Sequence, residues 1–221
     1  MITALSDQLT RQFLNWIISN DIRHEYQYTR HRLNLLDEMN NNFGYIRLPL
    51  QVQYPGNSAS GALRFITVLI QSGNAATGIV ENEKLIDHKV FTAYMVRKKQ
   101  GKSQIKHLKT KGKSRAGSRI RLAGTVKFFE NINTRLQRYF ENNEIDRIAL
   151  SCSKTLIPYL FGSKVKCPFD KKDERIYMIP KDIPQPNFAI LKTVNKFLLR
   201  GDLHYEEIHR QRIEEMFAAI A

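Results

Sequence analysis

One stretch of this chain limits what the rest can be. Between Asp87 and Glu130 the sequence reads HKVFTAYMVRKKQGKSQIKHLKTKGKSRAGSRIRLAGTVKFF, with thirteen Lys or Arg residues and no Asp or Glu. The chain of 221 residues carries 35 basic and 21 acidic side chains, so outside this stretch the balance is 22 against 21. The net charge of +14 is therefore nearly all in one place. A block of like charge this long repels itself and spreads unless an anionic partner neutralises it, and the densest natural polyanion is nucleic acid. In its middle lies Gln100-Gly101-Lys102-Ser103-Gln104, where a glycine and small polar residues interrupt the charges.

The remaining sequence has the composition of a globular chain, 42% hydrophobic with a mean hydropathy of -0.41. No run approaches the roughly 18 apolar residues of a membrane span. The N-terminal MITALSDQLTRQF lacks a basic region, an apolar core and a small-residue cleavage site, so a cytoplasmic protein is expected. Two cysteines, Cys152 and Cys167, are too few for a disulfide framework and do not form a zinc-ligand spacing. A pI near 9.8 also suits an acidic membrane surface or an acidic protein. Those partners require an apolar amphipathic face beside the charge, and Lys98 to Lys113 has very little apolar content.

Taken in order, Leu5, Leu9, Phe13, Leu14, Ile17 and Ile18 recur at helical spacing after Ser6, a candidate N-cap, with Phe13 and Trp16 expected in the core. Sparser apolar positions from Ile22 to Met39 predict a second helix, stopped by Asn40-Asn41-Asn42 and Gly44, so residues 1–60 are expected to be a helical hairpin and linker. Pro49, Pro55 and Gly56 mark that linker. Residues 63–71, 76–80 and 85–96 then predict a three-strand meander that delivers the chain into the basic stretch. From about Gly112, apolar residues recur every three to four positions through Phe140, predicting one long helix to about Asn142. Strands are predicted at 147–151 and 175–179, and helices at 154–161, 188–199 and 209–220. The fold class is α/β (α+β), a mixed β-sheet flanked by helices over residues 61–221, with a mobile basic loop at 97–113. No internal repeat or low-complexity segment is present.

The loop has no paired carboxylates, metal cluster or Ser/His/Asp arrangement for hydrolysis. It also has no aromatic residue between Tyr94 and Phe128, which disfavours base stacking of the RRM or OB kind. Its cations suit phosphate backbone, and His107 is read as a phosphate contact. The residues expected on RNA are Arg97, Lys98, Lys99, Lys102, Lys106, Lys109, Lys111, Lys113, Arg115, Ser118, Arg119 and Arg121. Gln104 cannot act as a base, but its amide can orient a water or an attacking hydroxyl. Gly101 lets the backbone approach a substrate closely, with its N–H free for a developing oxyanion.

The order of strand, basic loop with Gly101-Lys102-Ser103-Gln104, and Lys111-Gly112-Lys113 through Ala116-Gly117-Ser118 opening a long helix resembles the Vms-one-like release factor family. The resemblance covers residues 62 to 205. That family's central domain is similar to the catalytic domain of eukaryotic and archaeal peptide-chain release factors, whose Gly-Gly-Gln loop enters the ribosomal peptidyl-transferase centre. It implies a release-factor-like, RNase H-like catalytic domain. It also implies rescue of stalled ribosomes, acting on peptidyl-tRNA and the rRNA of the large subunit. Gly101, Ser103 and Gln104 would then be the catalytic residues, with no metal or small cofactor. Lys102 stands where the family has its second glycine.

Two chemistries stay open: hydrolysis of the peptide–tRNA ester, or cleavage near the tRNA 3′ CCA end by a ribose 2′-OH. A non-catalytic rRNA- or tRNA-binding factor is the alternative. Gly117 and Ser118 fit either an RNA-facing role or the cap of the long helix. Cys152 is read as a small apolar residue at a strand end.

Overall fold

The computed structural model describes residues 1–54, 63–93 and 113–220, with backbone alone at 113–122. Two five-stranded sheets organise these residues. The first contains β1 (Ile2–Leu5), β2 (His24–Gln27), β3 (Arg32–Leu36), β4 (Asn42–Arg47) and β10 (Gly201–Tyr205), in the order β1-β10-β4-β3-β2, and every pairing is antiparallel. The second contains β5 (Arg64–Gln71), β6 (Asn74–Glu81), β7 (Lys84–Thr92), β8 (Arg147–Cys152) and β9 (Ile176–Met178), in the order β7-β6-β5-β8-β9. There the meander β5–β7 is antiparallel, while β8 runs parallel to β5 and β9 parallel to β8.

β5 at the centre of the second sheet is buried on both faces, which is why it reads as a continuous apolar run rather than an alternating one. Ile66, Val68 and Ile70 face a core made with Phe128, Phe129, Ile132 and Leu136 of α2 (Lys113–Asn142). Phe65 and Leu69 face the opposite core, with Leu191, Val194 and Leu198 of α4 (Phe188–Leu198). Gly78 on β6 allows that approach, because a Cβ there would lie 2.7 Å from Leu85 Cδ1 and 3.1 Å from Leu191 Cδ2. A short helix, α3 (Ile157–Phe161), follows β8 and is held by Asn133, whose Nδ2 donates to the carbonyls of Leu160 and Val165, each at 2.8 Å.

The first sheet has one apolar face, covered by α1 (Asp7–Ser19) and α5 (Arg210–Ala218). Ser6 caps α1, its hydroxyl accepting from the Leu9 N–H at 3.1 Å, and Phe13, Leu14 and Ile17 form the buried stripe. Burying a side chain such as Phe13 stabilises the fold by about 1.5–3 kcal/mol. Phe13 also stacks on Phe217 of α5, with ring centroids 4.9 Å apart.

The expected helical hairpin at the N-terminus does not form. Its first helix is present, but residues 24–36 are strands β2 and β3 joined by a 3-10 turn, Tyr28–Arg30. Alternation decides this segment: Tyr26 lies opposite Leu33, and Leu33 and Leu35 are both buried on the same face, with Asn34 between them facing the other way. His31 makes the turn with φ 44°, a left-handed conformation in which His is enriched over most residues. The Asn40–Gly44 stretch, read as a stop, includes Asn40 with φ 63° followed by the start of β4. The segment read as linker contains Leu48, Leu50 and Val52, all buried.

Residues 201–205, left without an element by periodicity, form β10 between β1 and β4. The N-terminal strands therefore share their sheet and their core with the C-terminal residues. Gly201 brings β10 under α1, since a Cβ there would be 2.4 Å from Thr10 Oγ1.

Two buried polar sets join the halves. Arg47 Nη2 pairs with Asp202 Oδ2 at 2.8 Å and donates to the carbonyls of Phe197 and Arg200, at 3.0 and 2.9 Å. On the other side of the junction, Arg147 of β8 donates to the Tyr26 hydroxyl at 3.1 Å. Tyr26 lies 2.7 Å from His31 Nδ1, and His31 Nε2 lies 2.9 Å from the Pro49 carbonyl. The carbonyl can only accept, so Nε2 carries the proton and Nδ1 accepts from the tyrosine. Burial, reinforced by the Arg147 charge, lowers the His31 pKa to about 3, so the ring is neutral.

Candidate nucleic-acid interface

The proposed loop is flanked by an edge strand and a long helix. β7 is the outermost strand of the second sheet, and the Ala93 N–H just beyond it donates to the Gly73 carbonyl at 2.8 Å. The chain returns at Lys113 as α2, whose 30 residues span about 45 Å at 1.5 Å per residue. Phe128 is the first buried residue along its described part, with Ala123, Val126 and Lys127 exposed before it.

An ion pair between Arg135 of α2 and Asp87 of β7 ties the two flanking elements together, and the Arg135 guanidinium lies 4.9 Å from the centre of the Tyr139 ring. Beside this clamp runs a groove of about 280 Å³ lined by Lys89, Phe91, Asn131, Thr134, Arg135 and Arg138. Lys89 and Arg138 are exposed, and among the described residues neither has an ion-pair partner. They add positive charge to the surface of the folded body beside β7.

The sequence-predicted residues distribute unevenly over this frame. Gly101, Ser103 and Gln104 lie outside the described residues, as do Arg97, Lys98, Lys99, Lys102, Lys106, His107, Lys109 and Lys111. Lys113, Arg115, Ser118, Arg119 and Arg121 fall on the α2 backbone, whose first residue is Lys113. Gly117 and Ser118 are thus inside the helix, which removes the capping role for Ser118. Arg135 and Arg138 are absent from the sequence-derived set. Their signal was present as cations on the polar face of the amphipathic half of α2, but only the packing of that half against β7 places them beside Lys89.

The two thiols are not nucleophiles. Burial raises the Cys152 pKa to about 12 and that of Cys167 to about 11, so each stays protonated at neutral pH. Cys152 ends β8 and packs against the α2 core, as expected of a small apolar residue. Among the described residues no group of three or more His, Cys, Asp or Glu could hold a metal, and no helix is long and apolar enough to cross a membrane.

A mixed sheet whose edge strand and long helix bracket an acid-free basic segment defines the frame, and comparison with protein families gives its class: a release factor. The family model described as Bacteroidetes VLRF1 release factor matches residues 65–206, from β5 through β10 and across the whole basic stretch. The chain belongs to that family, in agreement with the resemblance carried by Gly101, Ser103, Gln104 and Ala116-Gly117-Ser118. Among solved structures it is similar to one titled "Vms1 mitochondrial localization core", with 13% identity and a TM-score of 0.43, over 88% of this chain and 81% of that one. No curated protein matches it.

Proposed function

We propose that this chain is a ribosome-rescue factor that frees nascent peptide from peptidyl-tRNA on stalled large subunits. The observation that carries the reading is the family match across residues 65–206, which spans the thirteen-cation stretch and Gln104. On this reading the domain is RNase H-like, and the segment between β7 and α2 enters the peptidyl-transferase centre. Its Lys and Arg residues neutralise rRNA and tRNA phosphates, and the absence of acids avoids repulsion there. The Gln104 amide then orients the nucleophile.

For ester hydrolysis the nucleophile is a water. Its oxygen bonds to the ester carbonyl carbon, the bond to the tRNA 3′ oxygen breaks, and the proton ends on that oxygen. The Gly101 N–H is available to the oxyanion that develops. For tRNA cleavage the nucleophile is a ribose 2′-OH attacking the adjacent phosphorus, and the downstream 5′ oxygen leaves. Neither route draws a carboxylate from the protein.

The test is incubation with peptidyl-tRNA on 50S subunits, sizing both the peptide and the tRNA 3′ end. Gln104→Ala is expected to lower release by about 100-fold or more, the range for losing a positioned catalytic group, while ribosome binding survives. Release at the wild-type rate by this variant overturns the assignment. Length of the tRNA product separates the two chemistries. Lys102 favours one second reading, a factor that docks without catalysis, because lysine restricts backbone that glycine leaves free. It is supported if the wild-type chain releases nothing and Lys102→Gly does.

A further inference from the structure

The polar face of the first sheet closes against β9 and the end of α4 to form a cavity of about 730 Å³. That volume lies within the range of about 300–1,000 Å³ usual for small-ligand sites. The sheet register builds one wall. Arg32 pairs with Arg47 and Arg47 with Asp202, while Tyr45 pairs with His204, so these side chains occupy the same face in two adjoining rows. Tyr45 and His204 stack at 4.4 Å with their planes 10° apart, and the Arg32 guanidinium lies 4.5 Å from the centre of the Tyr45 ring. The other wall carries Tyr177, Met178 and Ile179, with Phe197 beside them.

The charge around this cavity is unbalanced. Arg30, Arg32, Arg47, Lys181 and Arg200 line it with a single carboxylate, Asp202, which is already paired with Arg47 and Arg200. Among the described residues Arg30, Arg32 and Lys181 have no ion-pair partner, and Arg30 and Lys181 are exposed at the mouth. The Phe197 ring centre lies 4.3 Å from Lys181 Nζ and 4.0 Å from the Arg47 guanidinium. Five cations around one carboxylate repel one another, and an anion entering between them relieves that repulsion. A bare anion would leave the ring-lined and aliphatic wall unused. A planar base attached to a phosphate satisfies both halves.

We infer that this cavity is a nucleotide-binding site, taking the base against the wall of rings and apolar side chains and the phosphate among Arg30, Arg32 and Lys181. It lies at the opposite edge of the second sheet from β7, the strand that leads into the basic stretch: β9 and β7 are four strand spacings or about 19 Å apart. Free nucleotide and a nucleotide within a single RNA strand present the same chemistry, and the binding assay distinguishes them.

The full-length protein is titrated calorimetrically with nucleoside monophosphates, with inorganic phosphate, with unphosphorylated nucleosides and with a four-nucleotide RNA. The measurements are repeated with Arg30→Gln/Lys181→Gln, two exposed positions that make no ion pair. Thermal melting checks that the variant is folded. Mononucleotides are expected to bind, inorganic phosphate and nucleosides to bind at least about tenfold more weakly, and the double variant to lose about tenfold or more in nucleotide affinity. If free nucleotides fail but the short RNA loses that factor in the folded variant, the source is an RNA strand. The inference is overturned if no ligand responds to the double substitution, or if phosphate alone binds as tightly as the nucleotides. Neither result bears on peptide release, which is read separately from Gln104→Ala.

Discussion

At the scale of single residues, the junction between the two sheets depends on charged and polar groups that tolerate no loss of a partner. Arg47 and Asp202 each have side chains only 5% exposed, and removing one leaves the other charge buried. Asp202→Ala is expected to destabilise the protein by about 3–5 kcal/mol in a denaturant titration. His31 adds a dependence on pH. Its folded pKa of about 3 lies below the value of about 6.5 for an unfolded histidine, so between those limits the unfolded chain takes up a proton that the native state refuses. The stability from neutral His31 is complete above pH 6.5 and declines as pH falls toward 3, by up to about 1.4 kcal/mol per pH unit. His31→Asn, which tolerates the left-handed backbone, is expected to be less stable at pH 7 and to lose that share of the slope between pH 6.5 and 4. A variant with the same slope as the wild type would show that His31 does not carry it.

Among elements, what could be read from the residues and what could not divide along physical lines. β5 and β6 announced themselves through apolar runs, β7 through loose alternation, and the turns between them through short polar stretches, one with Gly73; α2 showed an apolar repeat long enough to leave one period. The strands of the first sheet are short, and their signals are set by pairing rather than by composition. β3 alternates over only five residues, and β10 gains its strand identity from lying between β1 and β4. Arg47 and Asp202 could not be paired in advance because 155 positions separate them. The basic stretch was legible as a block of charge because like charge without acid needs no tertiary information, whereas the groove at Lys89 and Arg138 needs α2 packed on β7. The packing of α1 on β10 is open to a direct test. Gly201→Ala forces a methyl against Thr10 Oγ1 and is expected to cost about 1–3 kcal/mol. Thr10→Ala in the same chain removes the clash, so the two substitutions together should cost less than their sum.

For the whole molecule, the concentration of charge predicts how binding responds to salt. The logarithm of affinity for large subunits is expected to fall linearly with the logarithm of salt concentration. Replacing Lys98, Lys99 and Lys102 by glutamine should reduce the slope by roughly two to three, one for each phosphate that is no longer neutralised. A slope unchanged by the triple replacement would place those lysines away from RNA. The position of β10 has a different consequence, one of timing. During synthesis β1 and β4 emerge within the first 47 residues but cannot close their shared sheet until residues 201–205 follow. For most of translation those edges stay open, and open strand edges invite pairing with other chains. A message of this protein cut short before β10 would yield a chain with its meander intact and its first sheet split, so incomplete copies are expected to aggregate rather than persist as partial factors.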